Sequence, residues 1–188
     1  LGSVLDLGVP SDSTVSLAKL TATGTKDATT FLRGDNTFAA AGGANTPAFR
    51  AYSSSAQSLS SGVTAVQQLA TENFDTDSCY DTSTYRFTPN VAGKYFVYAE
   101  CNVDVGNTNL QELYCFIIKN TTLEAQNALD LRSSYFGADS GTYVATVVDM
   151  NGSSDYLEFK VYCTVSSGSI SALDGTAKRY FGAYKIIT

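Results

Sequence analysis

The sequence predicts an all-β sandwich, on three observations. From Tyr95 to Val103 apolar residues alternate strictly, with Tyr95, Val97, Ala99, Cys101 and Val103 set against Lys94, Tyr98, Glu100, Asn102 and Asp104. That period of two marks a sheet with one buried face. From Pro47 onward roughly eight to ten such short pieces are separated by turns rich in Gly, Asn, Asp and Ser. No stretch carries a credible helical pattern, so pattern alone leaves a sandwich or a barrel.

The bulk composition narrows function before any motif is read. A chain of 188 residues forms one domain or a domain with an extension. Only 16% of residues are charged, with no His and no Trp, so polar contacts fall to Ser, Thr, Asn and Tyr. Lack of His removes the side chain that titrates near neutral pH and the commonest metal ligand, which argues against an enzyme. A net charge of −6 would repel nucleic acid and anionic membrane, so no nucleic-acid role is expected. No apolar run has the length of a membrane span, so no membrane insertion is expected. Nothing resembles a signal peptide. The chain starts at Leu1 and its one Met is Met150, so it is expected to be the end of a longer polypeptide. Its four Cys form no CxxC pair and have no His beside them, which disfavours zinc and favours buried thiols.

Residues 1–46 differ from the rest. All 12 Tyr follow Thr46, and only Phe31 and Phe38 supply aromatics before it, so this section cannot build a core of its own. Short strands or turns packed against identical copies, or partial disorder, are expected here, with a linker over 39–45. Within it, Gly34-Asp35-Asn36 reads as a tight turn between two short strands, with Phe31 and Phe38 packing across it.

The head is expected to begin at Pro47. Ala48–Tyr52 reads as a strand, 53–62 as a polar loop, Val63–Leu69 as a short strand and Phe74–Asp81 as an acidic loop. Tyr85–Pro89 reads as a short aromatic strand that stops at Pro89, which cannot donate to a ladder. A Pro-Asn-Val-Ala-Gly corner leads into the long alternating strand, and a turn at 106–109 leads into a further strand over Leu110–Asn120. The span 121–142 has no clear pattern. Tyr143–Met150 and Tyr156–Val165 read as strands that pair with each other through a hairpin turn at Asn151–Asp155, and 179–187 is a closing strand.

Catalytic patterns are missing. Asp75, Asp77 and Asp81 cluster, but a helix-loop-helix calcium loop opening at Asp75 would place Tyr80 at its obligatory glycine and Arg86 at its bidentate acid. A solvated acidic loop is favoured over a surface calcium site at those three acids, and no cofactor is expected. Asp139, Asp149 and Glu158 are not set apart as a hydrolytic pair. Neither Gly-x-Ser-x-Gly nor a phosphate loop occurs. No catalytic residue is assigned and no enzyme is expected.

Two resemblances sharpen the reading. Tyr85-x-Phe87-Thr88-Pro89 followed by Ala92-Gly93-x-Tyr95-x-Val97 resembles the central strand pair of the globular head of complement component one, subcomponent q. That head is one of the tumour-necrosis-factor-like jelly rolls. Tyr180-Phe181-Gly182 is similar to the aromatic-x-Gly of the family's last strand. The resemblance implies a jelly-roll sandwich of roughly ten strands over 47–188, after a short fibrous extension, in a homotrimeric binding module. It implies Tyr95, Tyr180 and Tyr184 at the trimer interface, makes Cys115 and Cys163 candidate cross-strand neighbours, and allows calcium in some members.

Thr30-Phe31-Leu32-Arg33-Gly34-Asp35-Asn36-Thr37-Phe38 resembles a segment of bacteriophage tail-fibre and appendage proteins, in which Gly is usual at 36 and Trp at 38. The integrin-type tripeptide Arg33-Gly34-Asp35 within it has a sufficient explanation in the turn. This second resemblance implies a virion protein whose segment 1–46 joins other virion proteins and whose head binds a bacterial surface glycan or protein receptor, caps and trimerises the fibre, or does both. Tyr135, Phe136 and Asp139 are the receptor contacts expected on the long span. The head carries 14 acids against 9 bases, which suits a neutral sugar better than a phosphate. Alternatives are a capsid decoration or head fibre without receptor role, a secreted complement-like head, which would normally follow a collagen stalk that this chain does not show, and a capsule depolymerase.

Overall fold

The structure, a computed structural model, describes residues 21–40, 45–106, 110–132 and 140–186. They divide into two compact units between Ala44 and Asn45. In the first, β1 (Thr30–Leu32) and β2 (Phe38–Ala40) form an antiparallel pair. The turn between them holds Asn36 at φ 62°, and the Asp35 carboxylate accepts from Thr37 N at 3.1 Å and Thr37 Oγ1 at 2.6 Å. Asn is among the few residues besides Gly that visit this left-handed region readily. The turn matches the sequence reading, but the packing across it does not. Phe31 is paired with Ala39 and Leu32 with Phe38, so the two Phe lie on opposite faces of the ribbon.

Among the described residues the head has thirteen strands, of which eight have five residues or more. One sheet of seven contains β3 (Ala48–Tyr52), β4 (Gln57–Leu59), β6 (Thr71–Asp75), β9 (Gly93–Asp104), β12 (Ser140–Met150), β14 (Ile170–Ala172) and β15 (Arg179–Lys185). The other, of six, contains β5 (Ala65–Val66), β7 (Tyr80–Asp81), β8 (Arg86–Phe87), β10 (Leu110–Lys119), β11 (Thr122–Asp130) and β13 (Leu157–Val165). All the pairings are antiparallel. In the seven-stranded sheet β9 is central, with β12 along one side and β15 and β14 along the other; β3 and β6 continue beyond β15.

The inward sets of the two sheets form one core. Tyr95, Val97, Ala99, Cys101 and Val103 of β9 share it with Leu113, Cys115 and Ile117 of β10 and Phe159, Val161 and Cys163 of β13. At one end Phe49 stacks on Tyr80 (4.7 Å, 11°) and Phe87 (4.4 Å, 21°) and meets Phe181 edge-on at 5.0 Å. Each such buried aromatic contributes about 1.5–3 kcal/mol by burial alone.

Several expectations are corrected. The Tyr85–Pro89 strand and the long strand after it are not a pair: β8 and β9 lie in opposite sheets, and the corner carries the chain across the sandwich. The acidic loop takes in the end of β6 and all of β7, and the span left without a pattern contains β11, an edge strand on β10. The Asn151 turn does not fold β12 back onto β13. Asn151 Oδ1 accepts from the backbone N of Ser153, Ser154 and Asp155, closing a tight turn that moves the chain from one sheet to the other. There β12 lies along β9 and β13 along β10. The expected Cys115 and Cys163 neighbourhood is met diagonally: β10 and β13 pair, with Cys115 opposite Val161 and Cys163 opposite Leu113, so the two are cross-strand neighbours without facing each other, and all four Cys are buried and free.

Candidate functional site: an aromatic sheet face

Parity decides what each strand shows to the outside. On β9 the residues between the core positions are Phe96, Tyr98, Glu100 and Asn102, and register aligns them with the outward positions of both neighbours. One row runs Val147, Phe96, Tyr184; the next Ala145, Tyr98, Gly182, Arg50; the third Tyr143, Glu100, Tyr180, Tyr52. The outer face of this sheet is thus a lattice of aromatic side chains spanning four strands.

Its rings touch. Phe96 lies 5.5 Å from Tyr184 and 6.1 Å from Tyr98, and Tyr98 lies 6.1 Å from Tyr180. The Arg50 guanidinium sits 4.4 Å from the centre of the Tyr180 ring, held by Asn73 Oδ1 at 2.9 Å and the Thr176 carbonyl at 2.7 Å. The end of the Tyr98 ring lies over position 182, where a Cβ would meet it at 2.5 Å, so any residue larger than Gly must displace the ring. Tyr180 donates its hydroxyl to Glu100, which also accepts from Asn102 Nδ2 at 2.9 Å. Burial raises the pKa of both Tyr98 and Tyr180, the latter to about 12 with the hydrogen bond to Glu100 adding to it, so both remain neutral donors. At the rim Lys94 Nζ pairs with Asp149 Oδ2 at 2.8 Å. Tyr143 (65% exposed), Val147 (50%) and Tyr184 (38%) are open to solvent in the single chain.

Of the residues expected at a subunit contact, Tyr180 and Tyr184 lie on this face. Tyr95 does not. It has no exposed surface, its ring meets Phe87 edge-on and its hydroxyl donates to the Val91 carbonyl at 2.7 Å, because it falls on the core parity of β9. Phe96, Tyr98, Arg50, Tyr143 and Val147 were missed, although apolar residues at alternate positions of the same strands were the signal that could have found them. The expected receptor contacts Tyr135, Phe136 and Asp139 lie outside the described residues.

The acidic cluster does not converge. Asp75 accepts from Tyr80 N at 2.8 Å, Asp77 from Thr76 Oγ1 at 2.6 Å, and Asp81 from Ser83 and Thr84, so each carboxylate is taken up by its own local hydrogen bonds. Those hydrogen bonds from Ser83 and Thr84 hold the Asp81 carboxyl down at about 2. Among the described residues no three His, Cys, Asp or Glu side chains stand close enough to hold a metal ion. Burial pushes the thiols of Cys101 and Cys163 up to about 12 and about 11, which makes them poor nucleophiles. On the opposite sheet an open groove of about 320 Å³ is lined by Thr64, Glu112, Tyr114, Phe116, Gln126 and Tyr162.

No family model matches the chain, and no curated protein matches it. Solved structures do. The chain is similar to the Eiger TNF of S. frugiperda, with a TM-score of 0.55 and 14% identity over 74% of this chain and 91% of that one. It is similar to murine APRIL, with a TM-score of 0.54 and 9% identity over 74% and 98% of the two chains. For the globular domain of the zebrafish complement 1qA protein the values are 0.55 and 11%, over 75% and 98%. By fold, then, residues 45–188 form an all-β two-sheet jelly-roll sandwich of the kind shared by tumour necrosis factors and the complement globular head.

Proposed function

We propose that this head is a trimeric binding module: three copies close about an axis through the aromatic face of the seven-stranded sheet, and their remaining surface attaches a virion appendage to a bacterial cell. The observation that carries the reading is the exposed cluster of Tyr143, Val147 and Tyr184 around the ring lattice. A solvated sheet face alternates to polar residues, and a contiguous apolar patch in its place marks a contact with another chain. The association of the fold with trimeric heads agrees with it. A binding role also fits the acids of the face, since Glu100 is taken up by Tyr180 and Asn102, and Asp149 by Lys94.

The appendage part of the reading rests on Thr30–Phe38, where the left-handed Asn36 occupies the position at which the fibre segment carries Gly. Sedimentation equilibrium tests the core of the proposal. The expected particle has about three times the chain mass of 19.9 kDa. A monomer at micromolar concentration would remove the trimer. For the receptor, neutral glycans are expected to compete with adsorption of the head to cells; competition by polyphosphate alone would point to a different ligand.

A further inference from the structure

Arg179 is the largest fully buried side chain among the described residues. It opens β15 on the inward parity that Phe181 and Ala183 share, which drives its guanidinium into the end of the sandwich. Nη2 donates to the Ser55 carbonyl at 2.7 Å and Nη1 to Gln57 Oε1 at 3.2 Å, both neutral acceptors. Nε is buried with no acceptor at all. Arg33, Arg86 and Arg132 have carboxylates at ion-pair distance, whereas for Arg179 Asp174 supplies only a longer-range attraction. Burial lowers its pKa, yet an arginine keeps its proton in any protein setting. Among the described residues, then, this desolvated cation has no carboxylate at ion-pair distance, an arrangement that is costly unless the charge is met.

Beside this group lies a cavity of about 130 Å³, lined by Ser53, Ser55, Gln57, Gln68, Tyr85 and Arg179. Apart from the guanidinium its lining carries no charge; the Ser53 hydroxyl donates to the Ser55 carbonyl and Gln57 Nε2 to the Val66 carbonyl, which leaves the side chains of Ser55, Gln68 and Tyr85 as donors to an anion. Gln57 is fixed by Val66 O and Gln68 N, and Tyr85 is held at φ 60°, so the walls are set. The volume takes a few waters or one small oxyanion.

We infer that the cavity beside Arg179 is an anion site, taking a carboxylate or a phosphate group as the missing counter-ion of the buried guanidinium. The site stands apart from the aromatic face and from the trimer reading, so either can fail alone. The anionic group has two possible carriers, a free ion or the carboxylate of an acidic sugar, and the test separates them.

Thermal unfolding of the full chain is followed at constant ionic strength in a bulky sulfonate buffer, with acetate, inorganic phosphate, glucuronate or glucose added. A saturable rise in Tm with acetate or phosphate is expected, as for any ligand that binds only the folded state. An equal rise with glucuronate and none with glucose extends the site to acidic sugars; no rise with glucuronate restricts it to free ions. Because Arg179→Met risks failing to fold, the companion variant is Gln68→Glu, an isosteric change at an exposed rim position that supplies a carboxylate from the chain itself. It is expected to raise Tm in the sulfonate buffer and to abolish the response to acetate and phosphate. A wild-type Tm indifferent to every small oxyanion, or a Gln68→Glu chain that responds as the wild type does, overturns the site.

Discussion

A methyl group at position 182 would lie 2.5 Å from Cζ and the hydroxyl of Tyr98 and 3.0 Å from the Phe49 carbonyl. The ring can tilt but the carbonyl cannot, so Gly182→Ala is expected to cost about 1–3 kcal/mol in urea unfolding and to weaken self-association together with stability. Gly152 is the harsher case: its φ is 71° and a Cβ would meet the backbone N of Ala92 at 2.2 Å, an atom that cannot swing aside. Gly152→Ala therefore combines strain with a clash and is expected to lower stability by at least about 2 kcal/mol without touching the aromatic face. Charge acts at this scale too. Burial by itself would raise the pKa of Glu158, but hydrogen bonds and charge from Lys160 and Arg86 outweigh it and leave the carboxyl below its ordinary value. A depressed folded pKa contributes stability that is present above the unfolded value, about 4.3, and is lost as pH falls through the folded one. Tm measured from neutral to acid pH should fall in that window, and Glu158→Gln should flatten the slope there while other acids keep theirs.

At the scale of the strand, period two was legible and partnership was not. Alternation in β9 placed Tyr95, Val97, Ala99, Cys101 and Val103 on one face, and the structure buries all five. It also placed Tyr98 and Glu100 on the other, so the raw material of the candidate site was on the page. What alternation lacks is long-range information. Nothing local tells β12 to lie along β9 and β13 along β10, and a Gly-containing turn between two strands reads as a hairpin whether or not the chain changes sheets. Strands of two residues, such as β5, β7 and β8, are too short for any period to show. Tyr95 was misplaced for a related reason: an aromatic reads the same whether its parity points to core or to neighbour. In the turn that moves the chain between sheets, Asn151 Oδ1 meets three backbone N–H groups at 2.9–3.0 Å, while Asp155 Oδ2 accepts from Asn151 N at 2.9 Å. Asn151→Ala is expected to cost about 1–2 kcal/mol in urea with an unchanged m-value, and Asn151→Asp, which keeps the acceptor, to cost less.

For the whole molecule, the proposed threefold association has to be assigned to one part of the chain. The head has its own hydrophobic cluster, running from Phe49 to Ala183, whereas the front unit offers Phe31 and Leu32 as exposed apolar residues on a two-stranded ribbon. A stable interface removes about 800 Å² per partner from water, an area that suits a four-stranded sheet face and exceeds what a ribbon of three-residue strands presents. The proposed threefold association should therefore belong to the head. A fragment of residues 45–188 is expected to sediment as a trimer, and Tyr143→Glu with Val147→Glu, both on the outward parity of β12, to give a monomer with an unchanged far-ultraviolet spectrum. Carboxylates there would face the Glu100 and Phe96 rows and, in the assembly, one another, so the penalty falls on the contact and not on the fold. If the fragment runs as a monomer while the full chain is trimeric, the axis belongs to the leading segment, and the aromatic lattice must be the surface on which the head receives a different partner.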